Sequence, residues 1–334
     1  MGCSSSIETN FINRYKNLEM KKEIIIENVN FSKQPYFDIL EKLSRNNIVE
    51  EFTFRNVDIC KFIRYFILIY FIIMNLSLLL LLLIAGNTDK FLDLMTVLMH
   101  KKKLRYININ SLSNIGNFAG KSLIAFLNKN GNILLDVSII DVDFLEDDFY
   151  YICEIPFYLI SVIKLEIKEI FFKNNDYKIN FFKNMIKLTS LKEIVLEKMD
   201  IVREYCTYLF ESLSKLSNLE LINLSNNAIS SDIVDIKDVL NNNPNLRCLL
   251  LNNCHLGDYE IRNIEDALTS NSSIEILEMN INIITDASSE ILHNILSKNN
   301  VIKQIYMLKN KINYRDIKNK FKYSLDLNRL ILEE

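Results

Sequence analysis

One apolar phrase recurs at a near-constant interval along this 334-residue chain, and it constrains the fold more than any other feature. Its clearest copy runs from Leu219 to Ile229 and reads LELINLSNNAI. Further copies begin at Leu246, Ile274 and Ile302. All four carry apolar residues at the first, fourth, sixth and eleventh positions and an asparagine or a cysteine at the ninth. This regularity predicts a stack of similar structural units.

Weaker copies continue the same phase toward the N-terminus. They begin at Lys21, Val49, Leu104, Leu134, Val162 and Leu191, and their ninth positions are apolar. The ten starts are separated by 28, 55, 30, 28, 29, 28, 27, 28 and 28 residues, so one interval alone departs from a period near 28. A chance run of apolar segments would not hold one period over this length.

The phrase fits LxxLxLxx(N/C)xL, the pattern of leucine-rich repeats, in which a short strand points its apolar residues into the core. Apolar residues at three- and four-residue spacing after each strand, such as Ile291, Leu292 and Ile295, predict a helix. The sequence therefore predicts an α/β leucine-rich-repeat solenoid, a horseshoe of about ten strand–helix repeats of about 28 residues, over residues 21–334. The degenerate first copy, with Lys21 in an apolar position, is expected to cap it.

Two sets of candidate residues follow from this register. The ninth-position residues of the four best copies are predicted to form a structural ladder that satisfies backbone groups of neighbouring repeats; these are Asn227, Cys254, Asn282 and Asn310. Alternate strand residues are predicted to point away from the core, on the concave face, where a protein partner would bind. The candidates are Asn223, Leu250, Asn252, Glu278, Asn280, Tyr306 and Leu308, with Tyr306 as the aromatic anchor.

The 55-residue interval contains a long apolar run. From Tyr65 to Ala85 there are 21 residues without a charge, enough to cross a bilayer core of about 30 Å. The run lies inside the second repeat, because the strand sequence FTFRNVDIC precedes it and the helix sequence DKFLDLMTVLMHKKK follows it. Removing residues 61–87 restores an interval of 28, so we interpret them as an insertion. Three explanations stay open: a retained intron in the predicted coding sequence, a membrane-inserted hairpin or anchor, and a spanning helix that would make this a single-pass membrane protein.

The chain begins MGCSSS, which fits the N-myristoylation pattern M-G-x-x-x-[ST]. Gly2 is the predicted myristate acceptor, and Cys3 beside it is placed for S-palmitoylation. One myristoyl chain binds membranes only marginally, whereas two acyl chains anchor a protein stably. We therefore expect residues 1–20 to form an acylated tail that holds the protein at the cytosolic face of a membrane, with the plasma membrane as one candidate.

Composition and motif content favour a binding protein over an enzyme. The net charge of −3 gives no electrostatic reason to expect nucleic-acid binding. The sequence contains no glycine-rich nucleotide loop and no nucleophile elbow, and the six cysteines show no zinc or disulfide spacing. Lys101–Lys103 is interpreted as a solvated helix end. We expect no catalysis, no cofactor, no metal and no small-molecule substrate.

Resemblances to known families indicate which functions to expect. Residues 246–300 resemble leucine-rich repeats of the ribonuclease-inhibitor type, and the segment LTSNSSIEILEMNINII is similar to the last repeats of tropomodulin, which implies binding to actin filament ends. The same repeat type occurs in Ran GTPase-activating proteins, which implies regulation of a small GTPase. Our leading interpretation is a membrane-tethered scaffold that binds a protein partner, with these two functions as alternatives.

Overall fold

The computed structural model describes residues 23–27, 48–58, 90–113, 118–229, 235–313 and 329–331, together with the single residues Lys42, Arg45, Asn46 and Ile115. The chain forms two compact units, Met1–Tyr158 (unit 1) and Leu159–Glu334 (unit 2). In each unit parallel strands pair in chain order and alternate with helices.

Unit 1 contributes four of the described strands. They are β1 (Glu23–Glu27), β2 (Glu51–Asp58), β3 (Tyr106–Ser113) and β4 (Asp136–Val142). Its helices are α1 (Lys90–Leu98), α2 (Ala119–Asn130) and two single turns, α3 (Phe149–Ile152) and α4 (Ile155–Tyr158), with a 3-10 turn at Glu146–Asp148. Helix α1 forms because apolar residues recur at helical spacing, and these are fully buried: Phe91, Leu94, Met95 and Leu98.

Unit 2 contributes seven strands. They are β5 (Lys164–Lys168), β6 (Glu193–Glu197), β7 (Leu221–Asn223), β8 (Cys248–Leu250), β9 (Ile276–Glu278), β10 (Gln304–Tyr306) and β11 (Leu330–Ile331). Its helices are α5 (Asn175–Asn184), α6 (Arg203–Leu213), α7 (Ile236–Asn242), α8 (Asp258–Ser270) and α9 (Ser289–Lys298). Further 3-10 turns lie at Met185–Lys187 and Asp286–Ser288.

Neighbouring strands in unit 2 pair residues that occupy the same position of the repeat phrase. The central residues of β7 to β10 pair side by side and are fully buried, and they are Ile222, Leu249, Leu277 and Ile305. These are the fourth-position residues of the repeat phrase, so the apolar pattern and the pleat agree. The predicted fold class, an α/β leucine-rich-repeat solenoid, is confirmed.

Strand β11 was not predicted. It pairs with β10 through Ile305 and Leu330, and so extends the repeat series by one start. The sequence LNRLIL at residues 327–332 repeats the LxxLxL spacing 25 residues after Ile302 and would have indicated this strand.

The apolar insertion interrupts the second repeat between its strand and its helix. Strand β2 ends at Asp58, α1 begins at Lys90, and β2 nevertheless pairs directly with β3, with Glu51 opposite Tyr106. The insertion itself, residues 61–87, lies outside the described residues, as does the 1–20 tail. Among the helices that the structure describes, none is both long enough and apolar enough to span a membrane.

One backbone conformation recurs in eight successive repeats. The residue before the ninth position has a positive φ, between 49° and 62°, at Ser111, Asp141, Glu169, Lys198, Asn226, Asn253, Ile281 and Lys309. Left-handed backbone is costly for residues with a Cβ, so glycine usually marks it. None of the eight positions is glycine, which is why the sequence pattern did not reveal the turn.

Candidate functional site

The candidate site is the outward face of the unit 2 sheet along β7 to β10, defined as the strand side chains on either side of the buried central residues together with the outward residue that follows each strand. Along β7 to β10 the two flanking residues are half-buried while the central one is buried. Alternation along a strand places these flanking side chains together on the face away from the core.

Three register rows make up this face. Row A contains Leu221, Cys248, Ile276 and Gln304, and row B contains Asn223, Leu250, Glu278 and Tyr306. Row C lies just beyond the strand ends and contains Ser225, Asn252, Asn280 and Leu308. The seven residues predicted to bind a partner therefore all occupy rows B and C.

Row A was not predicted from the sequence, although three of its four residues are apolar. Leu221 and Ile276 flank Cys248 in register, and all three are half-buried. Burial, followed by the nearby carboxylates led by Glu275, raises the pKa of the Cys248 thiol. The thiol therefore stays protonated at neutral pH and acts as a small apolar group. The signal for row A was the strand alternation, extended two residues toward the N-terminus.

The two asparagines of row C form hydrogen bonds with neighbouring repeats of the protein. Asn252 Oδ1 accepts from the Asn280 amide N at 2.8 Å, and Asn280 Oδ1 accepts from the Leu308 amide N at 2.7 Å. Asn252 Nδ2 also donates to Glu278 Oε2 at 2.8 Å. These side chains therefore connect neighbouring repeats, and their orientation is fixed before any partner arrives.

Tyr306 is held in a similar way. Its hydroxyl donates to Gln304 Oε1 at 2.7 Å, so the ring is fixed on the face. A fixed aromatic ring loses little conformational entropy when a partner packs against it.

A line of paired charges borders row A, at the residues that precede the strands. Lys192 Nζ lies 2.7 Å from Glu220 Oε1, and Glu275 lies 2.5 Å from Lys303 Nζ and 3.6 Å from Arg247 Nη1. Hydrogen bonds from Lys192 and Lys303 hold the pKa values of Glu220 and Glu275 below their usual range. The face thus combines an apolar and amide centre with a charged, solvent-exposed rim.

The ninth-position residues lie beside this face, where Asn227, Cys254 and Asn282 are buried and Asn310 is half-buried. Buried Asn227 donates from Nδ2 to the carbonyls of Leu196 (2.8 Å), Leu224 (2.9 Å) and Ser225 (3.2 Å), and its Oδ1 accepts from the amides of Met199 and Ile201, both at 3.0 Å.

The other ladder residues make related contacts. Asn282 Oδ1 accepts from the amides of Cys254 (2.8 Å) and Leu256 (3.0 Å), and Asn310 Oδ1 accepts from Ile284 N at 3.1 Å. Burial raises the pKa of the Cys254 thiol to about 12, so it remains protonated.

A second ladder, at the helix C-termini, was missed. Asn243, Asn271 and Asn299 each precede a repeat start by three residues, and each donates from Nδ2 to a carbonyl of the preceding repeat. At the last described repeat the guanidinium of Arg329 takes this place, donating to the carbonyls of Leu296, Asn299 and Ile302. Asparagines at a 28-residue interval before the apolar phrase were the available signal.

Lys101 corrects one sequence interpretation. It does not lie at a solvated helix end: its side chain is buried, and Nζ donates to the Asn46 carbonyl at 2.6 Å. It occupies the helix-end ladder position of its repeat, three residues before Leu104. Burial lowers the pKa of Lys101 to about 8.

The remaining candidates fall elsewhere. Gly2 and Cys3 lie outside the described residues. Within the described ranges no group of His, Cys, Asp and Glu side chains is placed to hold a metal ion.

Comparison with known proteins supports the fold class. No family model and no curated protein matches the chain. Among solved structures it is similar to one described as the Rad7 and Elc1 complex in yeast, with 14% identity, 88% of this chain and 71% of that chain covered, and a TM-score of 0.50. It is also similar to an internalin from Listeria monocytogenes, with 14% identity, 92% of this chain and 86% of that chain covered, and a TM-score of 0.42. A third similar structure is that of a protein from Bacteroides fragilis, with 12% identity, 98% of this chain and 82% of that chain covered, and a TM-score of 0.45. At these identities the likeness concerns the fold alone, that of leucine-rich-repeat proteins.

Proposed function

We propose that this protein is a membrane-tethered scaffold that binds a protein partner through the outward face of unit 2. The observation that carries the proposal is the arrangement of rows A and B, where Leu221, Ile276 and Leu250 lie on the same face of the sheet as the fixed ring of Tyr306. An apolar centre with an aromatic anchor and a charged rim is the usual anatomy of a protein-binding surface.

We assign the repeats to the ribonuclease-inhibitor type. In support, unit 2 combines its short strands with helices of 10 to 13 residues in α5, α6, α8 and α9. The binding surface then consists of strand residues held by a rigid sheet, which favours a preformed face over an induced one.

The partner is tested by site-specific crosslinking in cells. A photoreactive phenylalanine analogue replaces Tyr306 in the full-length protein, and the same analogue replaces Tyr150 on α3 as the control. Proteins captured from position 306 and not from 150 are candidate partners, and a small GTPase or actin among them would favour one of the alternative functions. With the purified partner, Tyr306→Ala is expected to weaken the affinity about 30-fold or more, as for an interface hot spot. Equal capture from both positions, or an unchanged affinity, would contradict the proposal.

The tether is tested separately. Mass spectrometry of the N-terminal peptide is expected to show myristate on Gly2 and palmitate on Cys3, and Gly2→Ala is expected to move the protein out of the membrane fraction. An unmodified N-terminal peptide from membrane-bound protein would reject the tether and leave the binding face untouched.

A further inference from the structure

A second exposed surface in unit 2 lies at the start of α8 and at the turn that follows β9. Tyr259 is 68% exposed, and Ile281 and Ile283 are each 50% exposed. We call these three residues the turn patch. The turns that follow β8 and β9 are joined by backbone hydrogen bonds, since Ile283 N donates to the Leu256 carbonyl at 2.9 Å. Ile283 also lies against Gly257, two residues before Tyr259, because a Cβ at Gly257 would be 3.6 Å from Ile283 Cγ1.

Ile281 is an unusual residue for its backbone conformation. It occupies the left-handed turn position with φ 57°, while the seven equivalent residues are Ser, Asp, Glu, Lys or Asn. A β-branched residue in this conformation is an outlier. Asparagine adopts left-handed backbone at a lower energetic cost, and it stands at the same position in the two preceding repeats, at 226 and 253. The exposed aliphatic side chain therefore points to a contact outside the chain.

Cations flank the turn patch. Lys309 lies 28 residues after Ile281 and Lys311 lies 28 after Ile283, in the next turn of the stack. The two turns are in contact, since Ile281 N donates to the Leu308 carbonyl at 2.8 Å and Lys311 N donates to the Ile284 carbonyl at 2.9 Å. Among the described residues no carboxylate forms an ion pair with either lysine.

The nearby carboxylates are engaged within the protein. Asp258 accepts from Thr285 N (2.9 Å), Thr285 Oγ1 (2.6 Å) and Ser288 Oγ (2.5 Å). Glu260 accepts from Gly257 N at 2.8 Å, and Asp286 accepts from Asn313 N at 2.7 Å. Asp258 and Glu260 are half-buried, so Asp286 is the one of these three carboxylates that is exposed beside the turn patch and its two lysines.

We propose that the turn patch contacts the headgroup region of an anionic lipid bilayer. Two exposed aliphatic side chains from the turn after β9 and one exposed tyrosine from the first turn of α8 suit the boundary between headgroups and acyl chains. Lys309 and Lys311 complement the negative charge of the lipids. The inference rests on the proposed function only in that the protein works at a membrane, because the contact itself uses no acyl chain.

The chain contains no tryptophan, so one introduced tryptophan reports on the patch alone. The probe is full-length Tyr259→Trp carrying Gly2→Ala, mixed with vesicles of phosphatidylcholine with or without phosphatidylserine. We expect a blue-shifted emission and protection from acrylamide quenching with the anionic vesicles, and a smaller response with phosphatidylcholine alone. The control is Phe171→Trp in the same background, at a unit 2 residue 51% exposed, which is expected to show no response. Vesicle binding through residues 61–87 would leave the probe at position 259 in water.

A second substitution separates binding from folding. Ile281→Asn, added to the probe protein, is expected to weaken vesicle partitioning about tenfold or more, because the bilayer no longer buries an aliphatic side chain at this position. Lys309→Gln is expected to weaken it about fivefold. Ile160→Asn makes the same chemical change at a unit 2 residue that is 53% exposed and is expected to have no effect. Thermal melts of each variant verify folding.

Either of two results would overturn the proposal: a probe that responds to no vesicle composition, or an Ile160→Asn loss equal to that of Ile281→Asn. A probe that responds to an acidic peptide such as polyglutamate and to no vesicle would assign the patch to a protein partner instead. Because the probe protein cannot be myristoylated at position 2, its result is independent of the mass-spectrometric test of the tether.

Discussion

Unit 1 and the last repeats of unit 2 complete their backbone hydrogen bonds in different ways. In unit 1 the ninth position is apolar and lies inside the strands, where Val57, Leu112 and Val142 pair with one another. Strands β2 and β3 reach eight residues and β4 seven, whereas β7 to β10 have three each. Where the ninth residue is asparagine, its side chain binds the backbone groups that a longer strand would pair. The identity of one residue per repeat therefore correlates with how far the sheet extends.

Strands β5 and β6 lie between the two extremes. Each has five residues and an apolar ninth residue, Ile170 or Met199, beyond the strand end. The amide of Met199 donates to Asn227 Oδ1 of the next repeat, so β6 already relies on an asparagine that it does not carry. The change from main-chain to side-chain pairing is gradual along the series.

Replacing Asn227 with leucine gives the last repeats the chemistry of unit 1. We expect Asn227→Leu to lower the free energy of unfolding by about 4 kcal/mol, because several buried amides and carbonyls lose their partner at once. Urea denaturation measures the change, with Asn242→Leu on the exposed side of α7 as the control. A loss below about 1 kcal/mol, with hydrogen exchange showing a longer β7, would mean that the main chain can take over and would break the comparison.

The converse change is Leu112→Asn in β3. Leu112 is buried, and its carbonyl already accepts from Asp143 N at 2.9 Å. The new amide would find the backbone around it paired, so we expect a loss of about 3 kcal/mol in urea denaturation. Leu112→Val controls for volume. A variant as stable as the wild type would show that the asparagine ladder fits the longer strands too.

The helix-end ladder includes a titratable side chain in unit 1, and its contribution to stability can be tested with pH. Lys101 in unit 1 has its pKa lowered to about 8 by burial, against 10.5 for the free side chain, whereas unit 2 has the neutral Asn243, Asn271 and Asn299 in this position.

Between pH 8 and pH 10.5 Lys101 is protonated in the unfolded chain but largely deprotonated in the folded one, because its pKa is about 8 in the folded protein and 10.5 for the free side chain. Raising the pH from about 8 to about 10.5 should therefore stabilise the fold, by on the order of 1 kcal/mol. Burial also lowers the pKa of Lys178, so the comparison is with Lys101→Gln, whose stability should rise less over the same range in urea titrations. Parallel pH profiles would show that Lys101 is not the source.

The smallest expected effect concerns the left-handed turn position. Ile281→Asn should raise the free energy of unfolding by about 0.5–1 kcal/mol, because asparagine tolerates this backbone better than a β-branched residue. The reverse change, Asn253→Ile, should cost a similar amount, and thermal unfolding measures both. A destabilised Ile281→Asn would mean that the isoleucine serves the fold after all.

The sequence pattern predicted much of this organisation for a simple reason. Strand positions follow from apolar residues at a fixed period, since burial of Ile222 or Leu249 is decided by composition and spacing. The partner-binding candidates lie on the outward face because alternation is a property of any strand. Row A lies one outward residue earlier in each strand than the predicted candidates, which begin at the second outward residue.

The hydrogen-bonding roles were less accessible from sequence. Asn252 and Asn280 are outward residues that also bridge repeats, while Asn243 and Asn299 are buried behind the sheet. One residue type thus performs both tasks, and only the positions of the neighbouring carbonyls and amides distinguish them.

The sequence alone determined the repeat, its period and the residues of the core, because hydrophobic burial is set by the order of apolar residues along the chain. The tertiary structure decided which backbone groups lie close enough to share a hydrogen bond across repeats. That proximity placed Lys101 in a ladder, gave Arg329 its place at the last described repeat, and left Ile281 and Ile283 exposed beside lysines. A hydrogen bond forms only when the donor–acceptor distance is within a few tenths of an ångström of its preferred value, and a one-dimensional pattern does not contain such distances.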